Sequence, residues 1–295
     1  MNLKKPLTLS EQVKKLKEHN IIISDEQSAK ELLSRINYYR LTGYALQFRK
    51  SASDSYCTVP VTLEQLSQLY IFDVSLRGIL RKYLETVEVY YKTQIAYHFS
   101  MEKCIKAPHD QHYNECNYYN KKIFHHVMDV FKREKEHFKD TLIVKHHTSH
   151  YDDKMPLWVM VELMSFSNVS QFYSCLYISS QKRLSDAFGV SPDVLVNHLH
   201  CLSVLRNKCS HAARLYNTEF NPPAKLPSSF LRMHPNISNA SLFAYILVLL
   251  MRLPDGSIER TQLKSELSRL IKKYSSSVCL ENIGFPADYE NVWKL

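Results

Sequence analysis

Residues 206–211, with the sequence Arg-Asn-Lys-Cys-Ser-His, combine a permanent cation, an amide and an imidazole within two helical turns. These groups suit cleavage of RNA without a metal ion, in which the 2′-hydroxyl loses a proton, the 5′-oxygen gains one and the phosphorus carries extra negative charge. Histidine transfers protons near neutral pH, and arginine binds two phosphate oxygens at once. We therefore predict that His211 is the general acid or base, that Arg206 stabilises the phosphorane, and that Asn207 orients His211 or binds phosphate.

The spacing of Arg206 and His211 also has a purely structural interpretation. Such pairs occur by chance in a chain that contains many residues of both types. Arg206 can pair with a nearby acid, and His211 can satisfy a carbonyl at a helix end. Five residues correspond to about 140° on an ideal helix, so the two side chains meet only if the arginine uses its full length or the helix is distorted.

Two acids are candidates for supporting roles. Glu88 and Glu162 interrupt apolar helical patterns, and a buried carboxylate requires a partner. Arg206 and His211 are the candidate partners. An ordinary ion pair elsewhere is an equally good interpretation.

Three cations are candidates for RNA binding. Arg40 follows two tyrosines, and aromatic rings beside a cation can stack bases and hold phosphate. Lys208 and Arg214 flank the motif and can hold the RNA backbone. Against this, the tyrosines can pack in the core, and Lys208 can lie on a solvated helix face.

A His- and Cys-containing segment, residues 104–116, offers potential zinc ligands. Cys104, His109, His112 and Cys116 stand at spacings that match no standard zinc pattern. The sequence also lacks a nucleophile elbow, a Walker loop and a glycine-rich dinucleotide turn. We therefore predict no metal and no cofactor, and the sequence gives no support to acyl transfer, NTP hydrolysis or dinucleotide-dependent redox chemistry.

Composition narrows the fold and the partners. The chain has 295 residues, 45% of them hydrophobic, with 5 Gly, 11 Pro and a formal net charge of +9. Few turn residues favour an all-α fold, and the basic balance favours nucleic acid or an anionic membrane as partner. The seven cysteines without a Cys-x-x-Cys pair, the lack of a signal core and the short apolar runs predict a cytoplasmic protein outside the membrane.

Apolar periodicity predicts the helices. Thr8, Ser24, Thr62 and Ser191 are expected to cap helix starts, Gly78 can kink the long third helix, and a His-rich loop is expected before residue 154. We divide the chain into an N-terminal helical extension, residues 1–55, packed on a helical domain, residues 56–295. The predicted helices lie at about 9–19, 25–42, 63–101, 120–140, 156–172, 192–211, 238–252 and 257–274.

Four ordered blocks of sequence, followed by a tail with Ile283-Gly284-Phe285-Pro286, resemble the Abi family of bacterial abortive-infection proteins, in particular its AbiD/AbiF-like group within the HEPN superfamily. Two departures, Ser167 where the family often has Gly and Ser210 where it has Ala, remove no group that the chemistry needs. The four blocks are Lys5-Pro6-Leu7-Thr8 with Glu11-Gln12, Ile36-Asn37-Tyr38-Tyr39-Arg40-Leu41 and Gly43-Tyr44; Phe72-Asp73 with Leu76-Arg77 and Val87-Glu88; Pro156-Leu157-Trp158 with Glu162 and Ser165-Phe166; and Leu205-Arg206-Asn207 with Cys209, His211 and Arg214-Leu215-Tyr216-Asn217.

The resemblance implies an all-α HEPN-like helical bundle. It further implies metal-independent cleavage of RNA by the Arg-x4-His segment, a toxin-like role in antiviral defence, and, as in some members, a small non-coding RNA that restrains or directs the protein. The alternative is a non-catalytic RNA-binding or sensing module that binds such a regulatory RNA. The basic charge and the tyrosines favour the two equally.

The chemistry favours a homodimer. The chain carries one Arg-x4-His motif, yet the reaction needs both an acid and a base. A twofold axis can bring two copies of His211 together, one for each role. In the other arrangement, a single His211 serves one role and water serves the other.

Overall fold

The computed structural model describes residues 3–51 and 53–293. These residues form fourteen α-helices and a single pair of two-residue strands, which confirms the predicted all-α fold. Within the same residues, every helix is too short or too polar to cross a bilayer. The helices are α1 (Leu9–Glu18), α2 (Glu26–Arg35), α3 (Tyr38–Thr42), α4 (Leu63–Lys103), α5 (Lys121–His137), α6 (Leu142–His150), α7 (Leu157–Leu163), α8 (Phe166–Ser174), α9 (Ile178–Ala187), α10 (Pro192–Ser210), α11 (Ser228–Met233), α12 (Leu242–Arg252), α13 (Glu259–Lys273) and α14 (Tyr289–Val292).

Helix α4 is the central element of the bundle. Thr62 starts it with a capping box, in which Thr62 Oγ1 accepts from Gln65 N and Gln65 Oε1 accepts from Thr62 N. The helix has 41 residues and is therefore about 60 Å long. It continues through Gly78 without a break. Helices α3, α7, α8, α9, α10, α12 and α13 all pack against it.

Helix α10 carries the motif and lies against α4, α8 and α12. Its apolar stripe is buried, as expected from the sequence, and it ends at Ser210. Pro192 occupies the first turn, where its missing N–H costs nothing. Ser191, however, does not cap the helix with its side chain, and its hydroxyl donates to the carboxylate of Asp193. The stripe consists of Leu195, Leu199, Leu202, Leu205 and Cys209.

The N-terminal segment is tied to the bundle by a short parallel strand pair. Strand β1 (Ile21–Ile22) pairs with β2 (Val61–Thr62), directly before α4. Helix α2 is capped by Asp25 rather than by Ser24, because the Asp25 carboxylate accepts from the N–H groups of Gln27 and Ser28 in the first turn. The pairing crosses the predicted boundary at residue 55, and the division into two domains stays a prediction.

Several predicted boundaries were wrong. The His-rich segment expected to be a loop forms α6, since Val144 and His147 face the core one helical turn apart. The helix expected over 156–172 is two helices, α7 and α8, because the Ser165 hydroxyl caps a new start by accepting from Asn168 N. Likewise, Asn37 caps α3 and separates it from α2.

The buried His198 on α10 makes the stability of the fold depend on pH. Its Nε2 donates to the carbonyl of Lys225 at 2.8 Å, and burial lowers the pKa of His198 from 6.5 to about 4. Between pH 6.5 and about 4, the unfolded chain therefore binds a proton at His198 that the folded chain does not bind. We expect about 3 kcal/mol of the unfolding free energy to be lost as the pH falls from 6.5 to 4.

Urea unfolding of the wild type and of His198→Gln over this pH range measures the effect. The glutamine amide keeps a donor for Lys225 but does not titrate, so we expect its decline in unfolding free energy between pH 6.5 and 4 to be smaller by about 3 kcal/mol. Parallel declines in the two proteins would contradict the assignment.

Candidate functional site

Arg206 lies in an ion-pair cluster that joins α10 to α4. Its Nε donates to Glu88 Oε2 at 2.9 Å, while the other carboxylate oxygen of Glu88 lies 3.2 Å from Lys92 Nζ. The Glu88 side chain is 11% exposed and that of Arg206 33% exposed. One carboxylate thus faces two cations, and the cluster keeps a net positive charge.

Glu88 fixes the orientation of the Arg206 guanidinium. Because the contact uses Nε, the two terminal amino groups of the guanidinium are left without a hydrogen bond to the described residues. These are the groups that bind two oxygens of one phosphate. Glu88 therefore fixes the Arg206 guanidinium while its two terminal amino groups stay available to bind phosphate oxygens.

His211 directly follows Ser210, the last residue of α10, and is the C-cap of the helix. Its backbone N–H donates to Asn207 O at 2.9 Å, and its backbone conformation (φ −94°, ψ 18°) ends the helix. The side chain is exposed. Within residues 3–51 and 53–293 the imidazole makes no hydrogen bond and no ion pair, so neither nitrogen is occupied by a structural role at the helix end.

Asn207 does not orient His211 through its side chain. Its Nδ2 donates to Ser167 Oγ at 2.9 Å and so joins α10 to α8. The two residues meet only through the backbone carbonyl of Asn207.

The chain after His211 is held by a buried carboxylate. Asp73, on α4, is fully buried and accepts from the backbone N–H groups of Leu215 and Tyr216 at 3.0–3.2 Å. It also accepts from the Tyr44 hydroxyl at 2.7 Å and from Arg77 at 2.5 Å. Burial raises the pKa of Asp73, whereas Arg77 and the three other donors act to lower it.

Three arginines bind backbone carbonyls around the same turn. Arg77 Nη1 donates to Ala213 O at 3.1 Å, Arg40 Nη1 to Ala212 O, and Arg214 Nη1 to the carbonyl of Gly43. Ala212 has a left-handed backbone (φ 51°) that turns the chain away from the helix axis. Arg40 and Arg214, predicted to bind RNA, therefore also position the residues that follow His211.

The remaining predicted site residues lie apart from this cluster. Lys208 Nζ lies 5.3 Å from the centre of the Phe220 ring. Glu162 is exposed on α7 and lines an apolar groove beside Trp158 and Tyr97. Among the described residues, Glu162 forms no ion pair with Arg206 or His211, which leaves Glu88 as the acid that the structure brings to the motif.

The segment expected to contain potential zinc ligands is held by hydrogen bonds. His112 is buried, with Nε2 bound to Met155 O at 2.8 Å and Nδ1 3.7 Å from Cys104 Sγ, while His109 Nδ1 bonds to Cys104 O. Cys116 is exposed. The described part of the chain contains no group of three or more His, Cys, Asp or Glu side chains arranged to hold a metal.

Sequence reasoning did not assign a role to several residues that the structure brings to the site. Lys92 could have been found from its spacing, since it lies four residues after Glu88 on one helix. Asp73 and Arg77 show the same i, i+4 spacing. Their contacts with residues 213–216 join positions more than 130 residues apart, which no local pattern reveals.

Comparison with known families identifies the class of the protein. The family described as Abi-like protein matches residues 31–217, more than half of the chain, and the chain belongs to this family. The match includes α4, α10 and the whole network around Asp73, whereas the tail Ile283-Gly284-Phe285-Pro286 lies outside it. Neither the curated proteins nor the solved structures contain a significant match.

The Asp73 network predicts a large loss of stability when the carboxylate is removed. Asp73→Asn leaves Arg77, whose side chain is 7% exposed, without its counter-charge. We expect the unfolding free energy to fall by about 3 kcal/mol or more. Urea unfolding measures it, with Asp129→Asn on the exposed face of α5 as the matched control. Equal stability of the two variants would contradict a structural role for the buried carboxylate.

Proposed function

We propose that this protein is a metal-independent endoribonuclease of the HEPN superfamily, of the AbiD/AbiF-like group, and that it acts as a toxin in abortive infection. Membership of the Abi-like family supports the role in defence. The single observation that carries the catalytic proposal is the unoccupied imidazole of His211, at the end of the helix on which Glu88 holds Arg206.

The reaction follows from these groups. A base removes the proton of the 2′-hydroxyl, the 2′-oxygen forms a bond to phosphorus, and the bond from phosphorus to the 5′-oxygen breaks as that oxygen takes up a proton. His211 is the general acid or base. The terminal amino groups of Arg206 stabilise the charge on the phosphorane. The products carry a 2′,3′-cyclic phosphate and a 5′-hydroxyl.

The supporting residues keep separate tasks in this proposal. Glu88 is a positioning residue that acts through Arg206, and Asn207 fixes α10 against α8 through Ser167. Arg40, Lys208 and Arg214 attract the RNA backbone by their charge. Within the described residues, Glu162 makes no contact that supports a part in the reaction.

A homodimer completes the site. One chain supplies one His211, and the reaction needs a proton acceptor and a proton donor. Because the imidazole is exposed at the surface of a helix end, a twofold axis nearby brings two copies within reach of one phosphodiester. A small non-coding RNA is the proposed further partner.

The catalytic proposal predicts that His211→Ala and Arg206→Ala each lose RNA cleavage by about 100-fold or more. The assay incubates purified protein with total RNA in EDTA and measures 2′,3′-cyclic phosphate ends. His200→Ala, an exposed histidine on the same helix, is the matched control and is expected to cleave as the wild type does. We expect His211→Ala and Arg206→Ala also to lose growth arrest in cells, and His200→Ala to keep it.

The same assay distinguishes the alternatives. Undiminished cleavage by both variants in EDTA would place the chemistry at another site. RNA binding by the wild type without new ends would favour the non-catalytic RNA-binding or sensing module.

A site built from His211 of both copies predicts how activity falls when wild type and His211→Ala are mixed. In a dimer that needs both copies of His211, a mixed dimer of wild type and His211→Ala is inactive, so an equal mixture retains about one quarter of the wild-type activity. A site served by one histidine and water retains about one half. Co-expression of two differently tagged chains, with His200→Ala in place of His211→Ala as control, measures the fraction.

A further inference from the structure

A cleft of about 550 Å³ lies between the α3 region and the turn after α10. Its volume is within the range of about 300–1,000 Å³ typical of small-ligand sites. It adjoins the candidate catalytic residue, because its wall includes two residues of the turn that directly follows His211. The lining residues are Asn37, Tyr39, Arg40, Thr42, Gly43, Tyr44, Leu46, Arg49, Ala213 and Arg214.

The charged side chains of this wall are all cationic. Arg40, Arg49 and Arg214 line the cleft, and none of its described lining residues is acidic. Each guanidinium donates to backbone carbonyls: Arg49 to Thr42 and Asp54, and the other two to Ala212 and Gly43. None forms an ion pair with a described carboxylate. The carbonyls orient the three cations without neutralising them.

Three other arginines in the described part of the chain contact a carboxylate instead. Arg77, Arg206 and Arg260 each pair with a carboxylate within 2.9 Å. Three unneutralised guanidiniums on one concave wall produce a positive potential that draws in anions, and guanidinium matches the geometry of phosphate.

The wall also carries an aromatic face. Tyr39 is 85% exposed although it is large and partly apolar. An exposed ring beside phosphate-binding cations is the arrangement on which a nucleic-acid base stacks. Asn37 keeps its side-chain N–H₂ group free of described partners, since only its Oδ1 is used, in the cap of α3. The cleft thus offers arginines for a phosphate, the Tyr39 ring for a base and the Asn37 amide for the polar edge of that base.

We propose that this cleft binds one nucleotide of the RNA strand, with its phosphate on the three arginines and its base on Tyr39, next to the phosphodiester cleaved at His211. The inference rests on the proposed function and adds a defined subsite to it. It makes residues 37–49, from the N-terminal region, part of the substrate-binding surface. A free nucleotide shares this chemistry, and the experiment separates the two sources.

The test measures binding of a fluorescent 2′-O-methyl RNA oligonucleotide, which cannot be cleaved because its 2′-oxygen is blocked. Tyr39→Ala is expected to weaken binding about tenfold, with Tyr39→Phe close to the wild type, because stacking needs the ring. Arg40→Gln and Arg49→Gln are each expected to lower the slope of log affinity against log salt by about 0.7. Arg133→Gln, an exposed arginine on α5, is the matched control.

Unchanged affinity and salt slope in Tyr39→Ala, Arg40→Gln and Arg49→Gln, with their unfolding free energies intact, would overturn the proposal. AMP is the probe for a free nucleotide. We expect it to displace the oligonucleotide only at millimolar concentration, and displacement at micromolar concentration would overturn the assignment to an RNA strand.

The outcome is independent of catalysis. Wild-type cleavage of RNA combined with unchanged binding in the cleft variants would remove the subsite and leave the proposed function. Weakened binding in those variants, together with a wild type that never cleaves RNA, would remove the ribonuclease and leave the subsite.

Discussion

The carboxylate of Asp73 joins three distant parts of the chain. Its donors come from its own helix, from Tyr44 in the N-terminal region, and from the backbone at Leu215 and Tyr216. A buried carboxylate is tolerated only when its oxygens are bonded. The turn after α10 therefore cannot move without leaving a charge unsatisfied, and this constraint anchors His211, which itself touches little.

Two kinds of acceptor bind the arginines around the candidate site, and they leave the cations with different net charge. Carboxylates stand beside Arg77 and Arg206, where a cation has to be fixed in one orientation. Carbonyls stand beside Arg40, Arg49 and Arg214, where the charge stays available. Donors that are oriented beforehand need no rearrangement when negative charge develops, which is the main advantage of a protein site over water.

Local patterns predicted the helices better than the contacts between them. The Thr62 capping box and the apolar stripe of α10 are short-range signals, and both were confirmed. The start at Asp25 was missed because the neighbouring Ser24 competes for the same cap, and only the backbone geometry selects one. The start at Ser165 was missed because a single helix was expected over residues 156–172. The motif of Arg206 and His211 could be identified from the sequence alone. The cleft could not be identified in this way, since residues 37–49 and 213–214 come together only in the folded chain.

The family match and the folding unit do not coincide. Residues 31–217 contain the Asp73 network, the motif and every residue that lines the cleft. Helix α12 lies outside the match, yet nearly all of its residues are buried, and it packs against both α4 and α10. A helix that is apolar on every side belongs inside a core. Without it, the two helices that carry Glu88 and Arg206 would expose apolar surface to water, so the matched segment depends on the C-terminal helices to keep its charged groups in register.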